Sequence, residues 1–317
     1  MQGSDRFSDE ITSAAMECGA VAAGITEAAP VESGCMDAFE SWIDAGMNAG
    51  MDYLERHALL RGCLDSVLPG TRTVISCAFS FKPHREVSGI AAYTLGKDYH
   101  KVLRKRLKPL VRLLEARGGT ARICVDTAPV AERYWAVRSG IASPCLNGTV
   151  SVPGHGSCIF LAEVLTDLEI PPAMGIQEST GGSNMTCSGC GACRRACSTG
   201  ALGENGTIDA RRCLSYLTIE HKGDFTPDQQ KLLQGVDKRK LPLYGCDACL
   251  RACPLNKDAP CTEIGEFAPL PAILRYQELD QAGKPIPDRL LADLTTASAM
   301  SRAGSDGLRR NLRLRKQ

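Results

Sequence analysis

Four cysteines lie within eleven residues of the sequence, in the stretch CSGCGACRRACSTG, and form a C-x2-C-x2-C-x3-C pattern. A second group, CDACLRACP, begins at Cys246 and repeats the pattern with one cysteine fewer. Nine of the sixteen cysteines fall between Cys187 and Cys261. In a cytosolic chain of this size, such a density is typical of metal or cluster ligation and not of disulfides.

The first pattern is the bacterial ferredoxin spacing. Three closely spaced thiolates bind three corners of a 4Fe-4S cube, and the fourth cysteine reaches a different cluster. The second cube is then bound by Cys246 and Cys249 of the second group together with Cys213 and the fourth cysteine of the first group. Cys253, the last cysteine of the second group, binds the first cube instead. The predicted ligands are Cys187, Cys190, Cys193 and Cys253 for one cluster and Cys197, Cys213, Cys246 and Cys249 for the other. Cys261 is left over.

Zinc is the main alternative for these cysteines, because C-x2-C pairs also build zinc ribbons. A structural zinc site needs four ligands from two pairs and rarely uses this longer run. The seven cysteines outside the groups show no ligand spacing, and we expect them to be small buried hydrophobic residues. They are Cys18, Cys35, Cys63, Cys77, Cys124, Cys145 and Cys158.

Composition limits the class of protein. Hydrophobic residues make up 44% and charged residues 23% of the 317 residues, ordinary values for a globular chain with a sizeable core. The net charge of +1 argues against a uniformly basic nucleic-acid binder. The N-terminus lacks the layout of a secretory signal, and no apolar run is long enough to span a bilayer. We therefore expect a cytoplasmic protein with no membrane partner, and a monomer because no heptad pattern is present.

Hydrophobic periodicity indicates the elements that must position the thiols. The run DRFSDEITSAAMECGAVAAGIT predicts an amphipathic helix that leads into a small-residue strand, and TRTVISCAFSF predicts a buried strand. The run DYHKVLRKRLKPLVRLLEARGG carries leucines at helical spacing and predicts one helix that stops at Gly118 and Gly119. ARICVDTAPV predicts a strand with Asp126 where its apolar run ends, and SCIFLAEVLTDLEI is a further apolar element.

Helices and strands alternate up to about residue 180, which indicates an α/β or α+β domain. The linker MGIQESTGGSN, rich in Gly and Ser, then leads into the cysteine-rich part. We predict a catalytic domain at 1–180, a ferredoxin-like domain at 181–262 and a helical C-terminal extension at 263–317. The extension ends in the basic run GLRRNLRLRKQ.

Two clusters can carry electrons, but a reaction needs a second site. The first 180 residues contain no P-loop, no dinucleotide-binding fingerprint after a strand and no convincing Ser-His-Asp signature. Several runs, in order along nearly the whole chain, resemble the epoxyqueuosine reductase family. These are LPGTRTVISCAFSF, GKDYHKVL, VDTAPVAERYWAVRSGI, FLAEVLTDLEI, DARRCLSYLTIEHKG and SAMSRAGSDGLRRNLRL, together with the two cysteine groups.

This resemblance implies a fold, cofactors and a reaction. The implied fold class is α+β, with a nitroreductase-like cobalamin-binding domain followed by a two-cluster bacterial ferredoxin-like module. The implied reaction reduces epoxyqueuosine to queuosine at the wobble position of tRNA, the last step of queuosine biosynthesis. Electrons would pass from an external donor of the flavodoxin or ferredoxin type through two 4Fe-4S clusters to cobalamin. Removing an epoxide oxygen takes two electrons and protons, which fits two one-electron clusters that feed a cobalt centre.

Asp126 lies in the DT-P motif, where the family places a general acid. A carboxylate at a strand end beside a bulky apolar cofactor should have a raised pKa, so we expect Asp126 to keep a proton and donate it. Without the resemblance, composition favours a turn or helix-capping aspartate at this position.

The resemblance also implies contacts around the cofactor and the substrate. The residues that would line cobalamin or lie next to it are Arg56, His100, Asp126, Asn147, Ser157, Ser215 and Asp247. His100 could equally begin a helix, and each of the others could be an ordinary surface or capping residue. His221 and Lys222 match a loop that contacts tRNA.

Basic residues offer phosphate contacts despite the nearly neutral total. One predicted helix carries Lys97, Lys101, Arg104, Lys105, Arg106 and Lys108, and the tail carries Arg302, Arg309, Arg310, Arg313, Arg315 and Lys316. For the helix alone, a solvated basic face is the simpler interpretation.

The chain departs from the family at GIASPCLN, residues 140–147, where members usually read like GLGWIGKN. Cys145 replaces a glycine and Leu146 replaces a lysine in a loop that we expect near the active site. This departure supports an alternative function, a divergent cobalamin and iron–sulfur reductase of a small molecule, related to reductive dehalogenases. A third possibility is a non-catalytic ferredoxin fused to a binding domain.

Overall fold

A computed structural model describes residues 2–178 and 185–316. Its strands are β1 (Ala22–Glu27), β2 (Thr73–Ser80), β3 (Ala121–Cys124), β4 (Ser143–Pro144), β5 (Val150–Ser151), β6 (Ile159–Thr166) and β7 (Ala173–Ile176). Its α-helices are α1 (Gln2–Glu17), α2 (Ser33–Asp44), α3 (Asp52–Arg56), α4 (Ala58–Arg61), α5 (Tyr99–Arg106), α6 (Lys108–Glu115), α7 (Glu132–Arg138), α8 (Ala192–Ala196), α9 (Leu214–Ile219), α10 (Pro227–Gln234), α11 (Ala248–Arg251), α12 (Pro271–Gln281), α13 (Asp288–Thr296) and α14 (Gly304–Lys316).

A five-stranded sheet forms the centre of the first part of the chain. Its strand order is β3-β6-β2-β1-β7, and every neighbouring pair is antiparallel. β2 and β6 pair over their whole length, from Thr73 opposite Thr166 to Ser80 opposite Ile159. All residues of β2 are buried, as the run TRTVISCAFSF predicts, because side chains of helices and loops cover both faces of the sheet.

One face of the sheet is covered by α1, α5 and α6. The leucines at helical spacing, Leu103, Leu107, Leu110 and Leu114, are fully buried in this core, as predicted. The prediction of one continuous helix is wrong, since α5 ends at Arg106 and α6 begins at Lys108. Pro109 lies in the first turn of α6, where its missing N–H is tolerated, whereas inside a continuous helix it would remove a hydrogen bond.

The opposite face of the sheet is covered by α7 and the hairpin of β4 and β5. Gly24 of β1 allows α7 to approach closely: a Cβ atom there would lie 2.6 Å from the carbonyl oxygen of Ser139. β7 is a further strand that pairs with β1 and includes Met174 and Gly175. The linker that we predicted from Met174 onwards therefore begins as an edge strand. The predicted boundary at residue 180 lies outside the described residues.

The cysteine-rich part folds into short helices, and α8 packs against α11. The helices α12, α13 and α14 follow and build a second core with residues of the first part of the chain. Its fully buried members include Leu95, Leu243, Tyr244, Ile273 and Tyr276. The mixed helix-and-sheet architecture confirms the α+β prediction. No helix in residues 2–178 and 185–316 is long and apolar enough to cross a membrane.

All sixteen cysteines are free of disulfides. Cys18, Cys77, Cys124, Cys145 and Cys158 are buried, but Cys35 and Cys63 are exposed, so the expectation of burial is wrong for these two. Cys35 belongs to α2, a helix that buries none of its residues, and Cys63 lies in the segment between α4 and β2.

Candidate active site and cluster-binding module

Four thiols surround one small cavity. Its lining includes Cys187, Cys190, Cys193 and Cys253, which are the four residues predicted to share a cluster. Burial raises the pKa of Cys253, and the charges of Cys187, Cys193 and Cys190 raise it further. The turn after α11 thus returns Cys253 to the first group, although it lies far from that group in the sequence.

The other four predicted ligands also lie together. Burial raises the pKa of Cys249 to about 12, and the nearby Cys246, Cys213 and Cys197 add to the shift. Cys213 lies immediately before α9, and Cys246 and Cys249 flank the start of α11. Cys261 stands outside both groups, with its Sγ atom 3.3 Å from the carbonyl oxygen of Pro83.

Cys197 is surrounded by hydrogen-bond donors. Its Sγ accepts the backbone N–H of Ala201 at 3.3 Å and lies 3.7 Å from Oγ1 of Thr199. Burial opposes the thiolate, but these hydrogen bonds outweigh it and the pKa of Cys197 is lowered. Across the described residues, no group of three or more His, Cys, Asp or Glu side chains converges to hold a single metal ion.

The divergent loop lies against the first cysteine group. Cys145, Leu146 and Asn147 line the same cavity as the four thiols. The loop is the turn between β4 and β5, closed by hydrogen bonds from the Cys145 N–H to the Thr149 carbonyl and from the Gly148 N–H to the Cys145 carbonyl. Asn147, predicted as a cobalamin contact, is therefore placed at the cavity of the first cysteine group.

Asp126 lies two residues beyond the end of β3, in the loop that leads to α7. Its Oδ2 accepts the Tyr99 hydroxyl at 2.7 Å and lies 3.2 Å from Nε2 of His100. Nδ1 of His100 lies 2.7 Å from Oδ1 of Asp98, which also caps α5 by accepting the His100 N–H. The start of α5 thus brings Asp98, Tyr99 and His100 to the end of β3.

The protonation of this group differs from the prediction for Asp126. Burial would raise the pKa of Asp126, but hydrogen bonds from His100 and Tyr99 outweigh it, and the pKa is lowered. Burial would lower the pKa of His100, but hydrogen bonds to Asp126 and Asp98 and their charges outweigh it, and the pKa is raised. The expected rise for Asp126 is wrong, because its neighbours come from a different element and stabilise the carboxylate.

The backbone at Asp126 adopts a left-handed conformation, with φ of +55°. Its N–H donates to Oε1 of Glu132 at the start of α7, which fixes the loop. Burial and the charge of Asp126 raise the pKa of Glu132. Sequence reasoning missed both Tyr99 and Glu132, although they lie in the quoted runs GKDYHKVL and VDTAPVAERYWAVRSGI. Non-glycine residues in such conformations cluster at functional sites.

The Asp126 carboxylate is open to solvent. Its side chain is 62% exposed, yet its charge acts on Tyr53 of α3 and on Arg302 from the C-terminal part. The Arg302 guanidinium lies 5.2 Å from the centre of the Tyr53 ring and is paired with Glu220. Behind Asp126, the ring of Tyr99 stacks on Phe160 at 4.2 Å. Asp126 is therefore flanked by buried aromatic rings, with Tyr53 and Arg302 within electrostatic reach.

The remaining predicted cofactor contacts are dispersed. Arg56 is exposed in the last turn of α3, and Ser215 is half-buried on α9 beside Cys213. Asp247 is buried, and its Oδ2 accepts the Ala92 N–H at 2.6 Å. Ser157 is buried against Asn256, which accepts the Ser157 N–H at 2.6 Å. The last two residues join the cysteine-rich part to the sheet domain.

The predicted tRNA contacts are tied to the C-terminal extension. Nζ of Lys222 donates to the Arg302 carbonyl at 2.6 Å, and Arg310 donates to the His221 carbonyl. The His221 ring stacks on Phe225. Other arginines of the tail have acidic partners: Arg309 pairs with Asp288 and Asp306, and Arg315 pairs with Asp280. Much of the basic charge predicted for phosphate contacts is therefore used within the protein.

The geometry defines a class of protein: an α+β sheet domain joined to a module with two ferredoxin-like cysteine groups. Comparison with known families agrees with each half. Residues 61–127 match the family described as epoxyqueuosine reductase QueG, DUF1730, and residues 186–256 match the 4Fe-4S double cluster binding domain. The second match favours iron–sulfur ligation over the zinc alternative.

Individual relatives extend this similarity over most of the chain. The epoxyqueuosine reductase of Gloeobacter violaceus is 34% identical over 96% of this chain and 94% of its own length. That of Aliivibrio fischeri is 35% identical over 73% of this chain, but the match spans 62% of that relative. A crystal structure of epoxyqueuosine reductase with an epoxyqueuosine-modified tRNA-Tyr stem loop matches with a TM-score of 0.79 at 26% identity, over 98% of this chain and 80% of that one. The chain belongs to the epoxyqueuosine reductase family.

Proposed function

We propose that this protein reduces epoxyqueuosine in tRNA to queuosine, with two 4Fe-4S clusters and cobalamin as cofactors. The group of Asp126, His100 and Tyr99, with the Asp126 carboxylate open to solvent, is the observation that carries the proposal. Family membership and the relative crystallised with a modified tRNA stem loop support the substrate. The electron donor would be an external flavodoxin or ferredoxin, and the protein would act as a cytoplasmic monomer.

The cysteine groups fit two clusters. Cys187, Cys190, Cys193 and Cys253 would hold one, since all four line the same cavity. Cys197, Cys213, Cys246 and Cys249 would hold the other, since they lie close enough to shift the pKa of Cys249. Each cluster would carry one electron at a time, and two electrons are needed to remove one epoxide oxygen.

We place cobalamin beside Asp126, because this carboxylate is open to solvent and aromatic and charged side chains lie near it. Bound cobalamin would supply a low-valent metal centre for the two-electron reduction. Arg56 and Ser215 remain predicted contacts of this cofactor. The side chains of Ser157 and Asp247 are engaged with the protein, so their proposed role is to shape the wall of the site.

Asp126 and His100 would deliver protons. The overall reaction adds two electrons and two protons to the epoxide and yields the alkene and water. Because the pKa of His100 is raised and that of Asp126 is lowered, His100 would hold the proton in preference to Asp126. The proton would pass from Nε2 of His100 to Oδ2 of Asp126, 3.2 Å away, and on to the substrate oxygen. Tyr99 would orient the carboxylate through its hydroxyl.

The exposed basic side chains of α5 would contact tRNA. Lys101 and Lys105 are exposed on the helix that begins with the active-site residues Tyr99 and His100. This position would bring phosphates close to Asp126. The loop at 140–147 lies against the first cysteine group, and its divergence therefore does not favour the small-molecule alternative.

The decisive experiment is anaerobic. The protein would be reconstituted with iron and sulfide, given cobalamin and a reductant, and supplied with tRNA from cells that lack the endogenous reductase. Nucleosides would then be assayed by mass spectrometry. We expect conversion of epoxyqueuosine to queuosine, and corrinoid binding without conversion would favour the small-molecule reductase.

A matched pair of variants tests the role of Asp126. Asp126→Asn keeps a hydrogen-bond acceptor but no proton-carrying carboxyl, and we expect loss of turnover with unchanged cluster and corrinoid spectra. Asp293→Asn, an exposed change on α13, should retain full activity. Unimpaired turnover of Asp126→Asn would remove Asp126 from the proton path.

A further inference from the structure

Asn147 carries a buried hydrogen-bond donor that nothing in the described protein satisfies. Its side chain is 4% exposed, and its Nδ2 has no hydrogen-bond partner among residues 2–178 and 185–316. Leaving such a donor buried without a partner costs free energy, so an unsatisfied amide of this kind calls for an explanation.

The orientation of this amide is fixed by Thr149. Oδ1 of Asn147 accepts the Thr149 N–H at 3.2 Å and the Thr149 hydroxyl at 2.7 Å. A backbone N–H can only donate, so the oxygen of the amide must face Thr149 and the nitrogen must face away from it. Asn147 lines the cavity of the first cysteine group, and Nδ2 is the polar atom of its side chain that Thr149 does not engage.

We propose that Nδ2 of Asn147 donates a hydrogen bond to a sulfur of the cluster held by Cys187, Cys190, Cys193 and Cys253, and so raises its reduction potential. This inference rests on the proposed function, since it assumes that the first cysteine group holds a cluster. An N–H donor near cluster sulfur stabilises the more negative, reduced state, and hydrogen bonds to the sulfurs are among the factors that set cluster potentials. The closed turn between β4 and β5 holds the donor in place.

Hydrogen-bond donors lie near thiols of both groups, and in the first group the Leu255 backbone is one of them, beside Cys253. At the second group, the Ala201 N–H and the Thr199 hydroxyl lie beside the Sγ atom of Cys197. At the first group, a side chain from the sheet domain reaches the cavity. The loop that supplies Asn147 also contributes Leu146, so the lining of this cavity combines an apolar side chain with one amide donor. Asn147 would therefore be a positioning and tuning residue of the electron path.

The test measures reduction potentials of the reconstituted, full-length protein by titration followed with electron paramagnetic resonance. Asn147→Leu removes the donor at similar volume. We expect one of the two cluster potentials to fall, with at least a tenfold change in the equilibrium constant for one-electron reduction, which corresponds to about 59 mV. The reduction potential of the other cluster should be unchanged.

A second variant and a control keep the test decisive. Asn147→Ala removes the same donor without adding a charge, so it should lower the same potential even if Asn147→Leu folds poorly. Thr199→Val changes the surroundings of Cys197 and should leave the Asn147-sensitive potential unchanged. If two clusters are present by iron and sulfide analysis and neither Asn147 variant shifts a potential, the inference about Asn147 is wrong. If fewer than two clusters are found in the parent protein, the proposed cluster assignment itself fails.

Discussion

Replacing Asn256 by alanine should loosen the junction between the sheet domain and the cysteine-rich part. Asn256 is buried, and its Oδ1 accepts the Ser157 N–H at 2.6 Å. Its Nδ2 donates to the Ser157 hydroxyl at 3.0 Å and to the Leu250 carbonyl at 2.8 Å. The same Leu250 carbonyl accepts the N–H of Cys253, a predicted cluster ligand.

The magnitude follows from these contacts. In Asn256→Ala the buried Ser157 N–H is left without its partner, which costs about 1–3 kcal/mol, and the bond to Leu250 contributes about 0.5–1.5 kcal/mol more. The expected loss is about 2–4 kcal/mol, a large share of the roughly 5–15 kcal/mol that stabilises a typical domain. The hydroxyl alone contributes less, so we expect Ser157→Ala to cost about 1 kcal/mol.

The assay is urea unfolding of the reconstituted protein, followed by circular dichroism and by the visible absorbance of the clusters. Asn256→Ala should show a lower urea midpoint and earlier loss of cluster absorbance than Ser157→Ala. If the two variants lose the same amount of stability, the Ser157 N–H does not depend on Asn256 and the reasoning is refuted.

Two further predictions concern the active site and tRNA. Asp98→Asn keeps the cap of α5 but removes one of the two carboxylates that raise the pKa of His100. Because protonated His100 is lost as pH rises through its raised pKa, the alkaline limb of the kcat/KM profile for modified tRNA should move to lower pH, and an unmoved limb would contradict the role of His100. Replacing Lys101 and Lys105 together by alanine should reduce the slope of log affinity for tRNA against log salt by about 0.7–0.9 for each phosphate that these lysines neutralise. An unchanged slope, equal to that of the exposed control Lys284→Ala, would exclude α5 from the interface.

The cysteine spacing predicted more of the molecule than any other signal. The grouping of Cys253 with Cys187 depends on a reach across more than sixty residues, yet ferredoxin geometry permits few other pairings. The β-rich run at β2 and the leucine stripe of α5 and α6 also predicted their elements clearly. Both are fully buried, and buried positions are mostly apolar, which leaves a distinct pattern in the sequence. Pro109 shows the limit of prediction from the sequence. A proline is tolerated in the first turn of a new helix and also at a kink within a longer helix, and the local sequence does not decide between the two.

The protonation of the candidate site could not be predicted from the sequence. A carboxylate at a strand end beside an apolar cofactor predicts a raised pKa, but the hydrogen bonds that lower it come from Tyr99 and His100 at the start of another element. The position of the divergent loop also depends on the tertiary fold. Residues 140–147 precede the first cysteine group by about forty positions, and the β4–β5 turn brings Asn147 to its cavity.

The short helices α8 and α11 have a consequence for how the module assembles. Each one begins among the cysteines of one group and ends beside a cysteine of the other, and the two helices pack together. Filling one cysteine group with its cluster would therefore fix backbone that presents thiols to the other group, so half-loaded protein should be a minor species during maturation.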